Sequence, residues 1–118
     1  MVTIEQIGEA ALQRDSLAVR ALVQEFLRLN TVLATVPMPH TVNVELLVVS
    51  AAIIELLSIR SGQNPPDWTQ TIGPAEKPIF LIKSASNMRR LRDLCRDAAP
   101  YPLRKWRLYA PPDYLAFV

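Results

Sequence analysis

The chain has 118 residues and a mass of 13.3 kDa, one domain's worth of sequence and enough to close a core without disulfides or metals. Half of the residues are hydrophobic, which excludes a disordered chain, yet the longest apolar stretch, Leu46 to Ile54, falls short of the about 20 residues that a membrane span needs. The net charge of +2 conceals an asymmetry: residues 1–60 carry four Arg against six acids, and residues 61–118 carry nine Lys and Arg against five acids. An electrostatic partner is therefore expected on the C-terminal half.

From the N-terminus, "MVTIEQIGEA" has no basic segment followed by an apolar one, so no secretory signal is expected. The one cysteine, Cys95, cannot form an internal disulfide, which fits a cytoplasmic protein. Thr3 and Gln6 make a capping box for a first helix, with Ile4, Ile7, Ala11 and Leu12 on one face and Gly8 keeping it short. Asp15 or Ser16 caps a second helix. There Arg20, Gln24 and Arg28 form a wet stripe, and Leu22, Val23, Phe26, Leu27 and Leu29 lie mostly opposite. Pro37 and Pro39 mark a loop that holds His40.

The third helix runs from its cap Asn43 to Ser61, and Gly62 sits where a left-handed residue belongs. Its few polar residues are scattered around the barrel, so it reads as the buried central pillar of the core. Beyond it, "SGQNPPDWTQTIGPAEKP" is an irregular arm with a short helical turn expected at Asp67–Gln70. Ile79 to Lys83 is ambiguous between strand and helix, and the sequence shows no partner strand. Ser86 is expected to cap a fourth helix that buries Met88, Leu91, Leu94, Cys95 and Ala98 and ends at Pro100 and Pro102. The tail adds one further helical piece at most and the apolar strip "YLAFV", which either packs back on the pillar or closes a homo-oligomer. The expected fold is mainly α: a compact single domain over residues 1–118, with four to five helices around a buried central helix and a Pro-rich arm and C-terminal tail outside.

Two phrases, "PPDW" at Pro65–Trp68 and "PPDY" at Pro111–Tyr114, read as folding corners. Prolines hold the preceding chain extended, the aspartate caps a new turn and the aromatic drops into the core. Both rings are then expected to be largely buried, and both aspartates to accept backbone N–H groups.

Catalytic machinery is not expected. The lone His40 has no nucleophile motif beside it, one Cys and one His cannot make a zinc site, and the three glycines form no phosphate-binding loop. Asp93 and Asp97 stand beside arginines, as ion-pairing carboxylates do. Glu55, inside the pillar helix, reads as an ion pair with Arg20 or Arg60 rather than as a perturbed catalytic acid. No cofactor or metal is implied.

The positive signal is the basic segment. At about 100° per residue, Arg89, Arg92 and Arg96 fall within about 60° of one another on the fourth helix. Then come Arg104, Lys105, Trp106, Arg107 and Tyr109, cations interleaved with aromatics. That composition suits an acidic protein partner, or phosphate contacts with base stacking, or a solvated face with Trp106 and Tyr109 tucked into the core.

The stretch from "PPDW" through "KPIFLIKSASNMRRLRDLC" to "PLRKWRLYAPPDYLAFV" resembles a pattern carried by small, mainly helical bacterial proteins of toxin–antitoxin-like gene pairs. That resemblance implies an antitoxin-like or accessory interaction protein and carries no catalytic residue with it. The sequence thus points to a non-enzymatic protein-interaction module using Arg89, Arg92, Arg96, Arg104, Lys105, Trp106 and Arg107, with nucleic-acid binding on the same face as the alternative.

Overall fold

The computed structural model describes residues 2–83 and 88–116. The chain is mainly α, with α1 Ile4–Leu12, α2 Ser16–Leu29, α3 Val44–Arg60, α4 Arg89–Ala98 and α5 Tyr101–Arg104. Short 3₁₀ turns stand at Leu33–Thr35 and Asp67–Thr71, the second close to the expected turn.

Local signals set the first half. The Thr3 hydroxyl accepts from the Gln6 N–H at 3.3 Å and the Gln6 side chain accepts from the Thr3 N–H at 3.0 Å, closing the capping box. Asp15 caps α2 through the Ala18 N–H at 3.1 Å. Of the expected α2 apolar face, Val23 and Phe26 are buried, whereas Leu29 is half-exposed in the last turn. Arg14 links the two helices at φ 60. Its N–H reaches the Ala11 carbonyl and the Asp15 N–H the Ala10 carbonyl, a Schellman ending without the usual glycine.

α3 is the pillar. Asn43 caps it through the Leu46 N–H at 3.2 Å. Gly62 at φ 69 ends it, with the Gly62 and Gln63 N–H groups returning to the carbonyls of Ile59 and Ser58. Every residue from Val48 to Ser58 is buried, because α1 and α5 pack against this helix and α2 packs behind α1. Gly8 lies at the α1–α3 crossing. A Cβ there would stand 2.8 Å from the Ser50 hydroxyl and 2.9 Å from Leu46 Cδ1. Gly8 therefore costs helix propensity but permits the close approach. Gly8→Ala is expected to lower stability by about 1 kcal/mol net, the overpacking outweighing the helix gain. A urea titration checks it, and a more stable variant would mean that Leu46 and Ser50 give way freely.

The ambiguous segment is extended. β1 Ile79–Phe80 pairs in parallel with β2 Leu108–Tyr109, Ile79 opposite Leu108, and the Phe80 and Tyr109 rings meet at 5.5 Å. The expected cap Ser86 lies outside the described residues, as do Phe117 and Val118 of the apolar tail. The described part of the tail packs back: Leu115 is buried at φ 59, and the Arg60 guanidinium donates to the Tyr114 carbonyl.

The two PPD corners bury their rings only in part, against the expected large burial, and lack the expected aspartate caps. Trp68 is half-buried and its Nε1 donates to the Val36 carbonyl at 2.8 Å. Tyr114 is half-buried with its hydroxyl inside. Asp67 and Asp113 are exposed, and among the described residues neither carboxylate takes a backbone N–H. Backbone carbonyls take the N–H groups that the caps would have taken, Pro66 accepting from the Thr69 N–H at 3.2 Å and the Asp113 backbone carbonyl from the Ala116 N–H at 2.9 Å. With that role filled, the aspartates stay in water.

The Tyr114 hydroxyl is buried without a partner among the described residues, and burial pushes the phenol well above its ordinary range. An acid whose folded pKa is raised holds its proton longer in the native state. Stability is therefore fully present below the ordinary tyrosine pKa of about 10 and falls as pH rises above it. Tyr114→Phe is expected to gain about 1 kcal/mol at neutral pH and to flatten the decline above pH about 10. Denaturation midpoints from pH 8 to 11 check both.

Candidate partner interface

The C-terminal half is assembled around tight local turns. Pro100 is extended at φ −54 and ψ 140, and the short α5 follows with Pro102 in its first turn, where a missing N–H costs nothing. At its end the chain turns through Arg107 at φ 65 into β2. These turns decide what becomes of the run Arg104–Arg107.

Three of its four residues face inward or hold the arm. Trp106 is 4% exposed, and its Nε1 donates to the Ile72 carbonyl at 2.8 Å. The Trp106 carbonyl accepts from the Ala75 N–H at 3.1 Å, so the residue fastens the irregular arm at both ends of its peptide and ring. Arg107 donates to the Glu76 carbonyl at 2.7 Å and approaches the Ala75 carbonyl at 3.4 Å. Lys105 Nζ lies 2.6 Å from Glu55 Oε1 and 4.2 Å from the Trp106 ring centroid. Trp106 is thus part of the core and not a surface contact, and Lys105 and Arg107 have internal duties. Arg104 and Arg107 are exposed with no acidic partner among the described residues, but the Arg107 guanidinium is held on backbone carbonyls, which leaves Arg104 as the cation of this run turned to solvent.

Glu55 is 7% exposed and its partner is Lys105, not Arg20 or Arg60. Arg60 is engaged at the C-terminal turn, where burial lowers its basicity and Asp113 partly offsets that. Glu55 Oε2 is buried and has no hydrogen-bond partner among the described residues. Its contacts are those of a structural ion pair between α3 and the end of α5.

α4 holds the remaining candidates. Arg89, Arg92 and Arg96 are all exposed. Arg96 bridges Asp97 at 3.1 Å and Asp93 at 3.4 Å, and the hydrogen bond to Asp97 holds its guanidinium above the ordinary range. Arg89 and Arg92, with neighbouring Arg90, have no acidic partner among the described residues. The buried side of α4 is narrower than its pattern promises. Cys95 alone is fully buried, which raises its thiol pKa, while Leu91 and Ala98 are half-buried. Met88 and Leu94, expected inside, are 55% and 45% exposed. Tyr101, at the start of α5, is exposed as well. The apolar contribution to this surface, Met88, Leu94 and Tyr101, is invisible in the sequence because each occupies a position that amphipathic spacing or a helix start assigns to the interior.

Among the described residues there is no cluster of three or more His, Cys, Asp or Glu able to hold a metal, and no helix long and apolar enough to cross a membrane. His40 is exposed, with its backbone N–H on Glu5 at 3.1 Å. Comparison with family models, curated proteins and solved structures finds no match to this chain.

Proposed function

We propose that this protein is a non-enzymatic interaction module, antitoxin-like or an accessory subunit, that binds an acidic protein partner through α4 and the exposed start of α5. The observation that carries this reading is the combination on one short helix of uncompensated Arg89 and Arg92 with the exposed apolar side chains of Met88 and Leu94. Arginine with large apolar side chains is the composition of interface hot spots. Arg104, at the end of α5, is a further exposed cation, whereas Arg96 is largely neutralised by its aspartates.

Nucleic-acid binding is the second reading, favoured by the same free arginines. With Trp106 inside the core, Tyr101 is left as the exposed aromatic next to the patch, a poor stacking platform compared with those of single-strand binders. Affinity capture from the source cell, repeated with Arg89→Glu plus Arg92→Glu, tests the first reading: loss of the captured protein is expected, and undiminished capture would refute it. Random-sequence DNA or RNA at low salt tests the second, whose mark is steep salt dependence.

A further inference from the structure

α4 carries a wider apolar stripe than the body covers. At about 100° per residue, Met88, Leu91, Leu94, Cys95 and Ala98 occupy one sector about 120° wide, the width by which amphipathic helices are recognised. The body seals only Cys95 fully, half-covers Leu91 and Ala98 at the centre of the stripe, and leaves Met88 and Leu94, at its two edges, about half in water. Arg92 borders the stripe on the Met88 side and Arg90 on the Leu94 side, and both are exposed without an acidic partner among the described residues. The outer face, by contrast, is occupied largely by the self-neutralised group Asp93, Arg96 and Asp97. The N-cap residue of α4 is Met88, whose side chain makes no cap hydrogen bond, and the last turn of the helix gives way to extended Ala99 at φ −58 and ψ 147 before Pro100. Among the described residues no hydrogen-bond ladder runs from α4 into α5, whose first N–H donors turn back to the Pro100 and Tyr101 carbonyls.

We infer that α4 is a recognition helix that lifts from the body about Ala99–Pro100 and lays its whole Met88–Ala98 stripe into an apolar groove of a protein partner whose two walls are rimmed with carboxylates. Such a groove covers Met88 and Leu94, which the body cannot, and its rims meet Arg90 and Arg92 on opposite sides. This rests on the reading of α4 as the partner surface and deepens it, because the contact made is the inner stripe and not the outer face.

Cys95 reports the motion, since its sulfur is fully buried while α4 is seated. Its reaction with an aromatic disulfide reagent is measured in native buffer across a urea series, beside global unfolding. The expected labelling is nearly independent of urea at low concentration and at least about tenfold faster than global unfolding allows, the signature of a local opening. Labelling that follows the full urea dependence of global unfolding overturns the inference. Calcium-loaded calmodulin, whose apolar groove takes basic amphipathic helices, serves as the probe groove. Binding is expected, weakened at least about tenfold by Arg90→Glu plus Arg92→Glu and by Leu94→Asp, and little affected by Arg96→Gln. Absence of binding to it overturns the groove, as does binding of duplex DNA in its place. If Cys95 stays protected while Arg89→Glu plus Arg92→Glu still abolishes partner capture, the helix binds in its seat; the inference then fails and the functional reading stands.

Discussion

Replacing Trp106 with alanine is expected to lower the unfolding free energy by about 4 kcal/mol, a large part of the 5–15 kcal/mol that holds a domain of this size. The ring is 4% exposed, so its removal leaves a cavity beneath the arm. The lost Nε1 bond also strands the Ile72 carbonyl, at a cost of about 1 kcal/mol. Trp106→Phe separates these terms, since it keeps most of the ring and loses the bond, and should cost about 1–2 kcal/mol. Urea denaturation of the three proteins measures both. A loss below about 1 kcal/mol for the alanine variant would place the ring at the surface, where a partner could stack on it.

The second large effect belongs to Lys105. Lys105→Ala leaves Glu55 buried in α3 with both carboxylate oxygens unpaired, and should cost about 2–3 kcal/mol. That is less than for a fully buried pair, because the lysine side chain is 26% exposed and water screens part of the attraction. Glu55→Leu with Lys105→Met is expected to recover most of the loss, since two apolar side chains of similar volume need no partner. A double-mutant cycle gives the coupling. Because Lys105 also sits 4.2 Å from the Trp106 ring, its effect and that of Trp106→Ala should not add. A coupling energy between Glu55 and Lys105 near zero would show that solvent reaches the pair.

The helices of the first half are legible because their signals are local. Thr3 with Gln6, Asn43 and Gly62 act within one turn, and the apolar surround of Val48 to Ser58 needs no knowledge of what packs on it. The parallel pairing of Ile79–Phe80 with Leu108–Tyr109 was not legible, since two-residue strands carry no periodicity and their partners are remote in the chain. The partner of Glu55 is 50 residues away, and any of several cations met the chemical requirement. The run Arg104–Arg107 illustrates a different ambiguity. Cations interleaved with aromatics describe a binding surface, but also a corner in which Trp106 turns in and its neighbours snorkel around it. In α4 the amphipathic pattern stated which face would be buried if a seat existed, and the body supplies only half the seat. The Asp caps of the PPD corners failed for a comparable reason: a backbone carbonyl already held an N–H that each aspartate would have capped.

These distinctions separate two sets of basic residues, one fastening the interior and one left free on α4. The most direct test is the dissociation constant of the captured partner for Arg89→Glu plus Arg92→Glu, measured beside the wild type with thermal midpoints matched. Both positions are exposed, so the fold should be unaffected, and binding should weaken at least about tenfold. An unchanged dissociation constant in a folded variant would contradict the assignment of α4 as the interface.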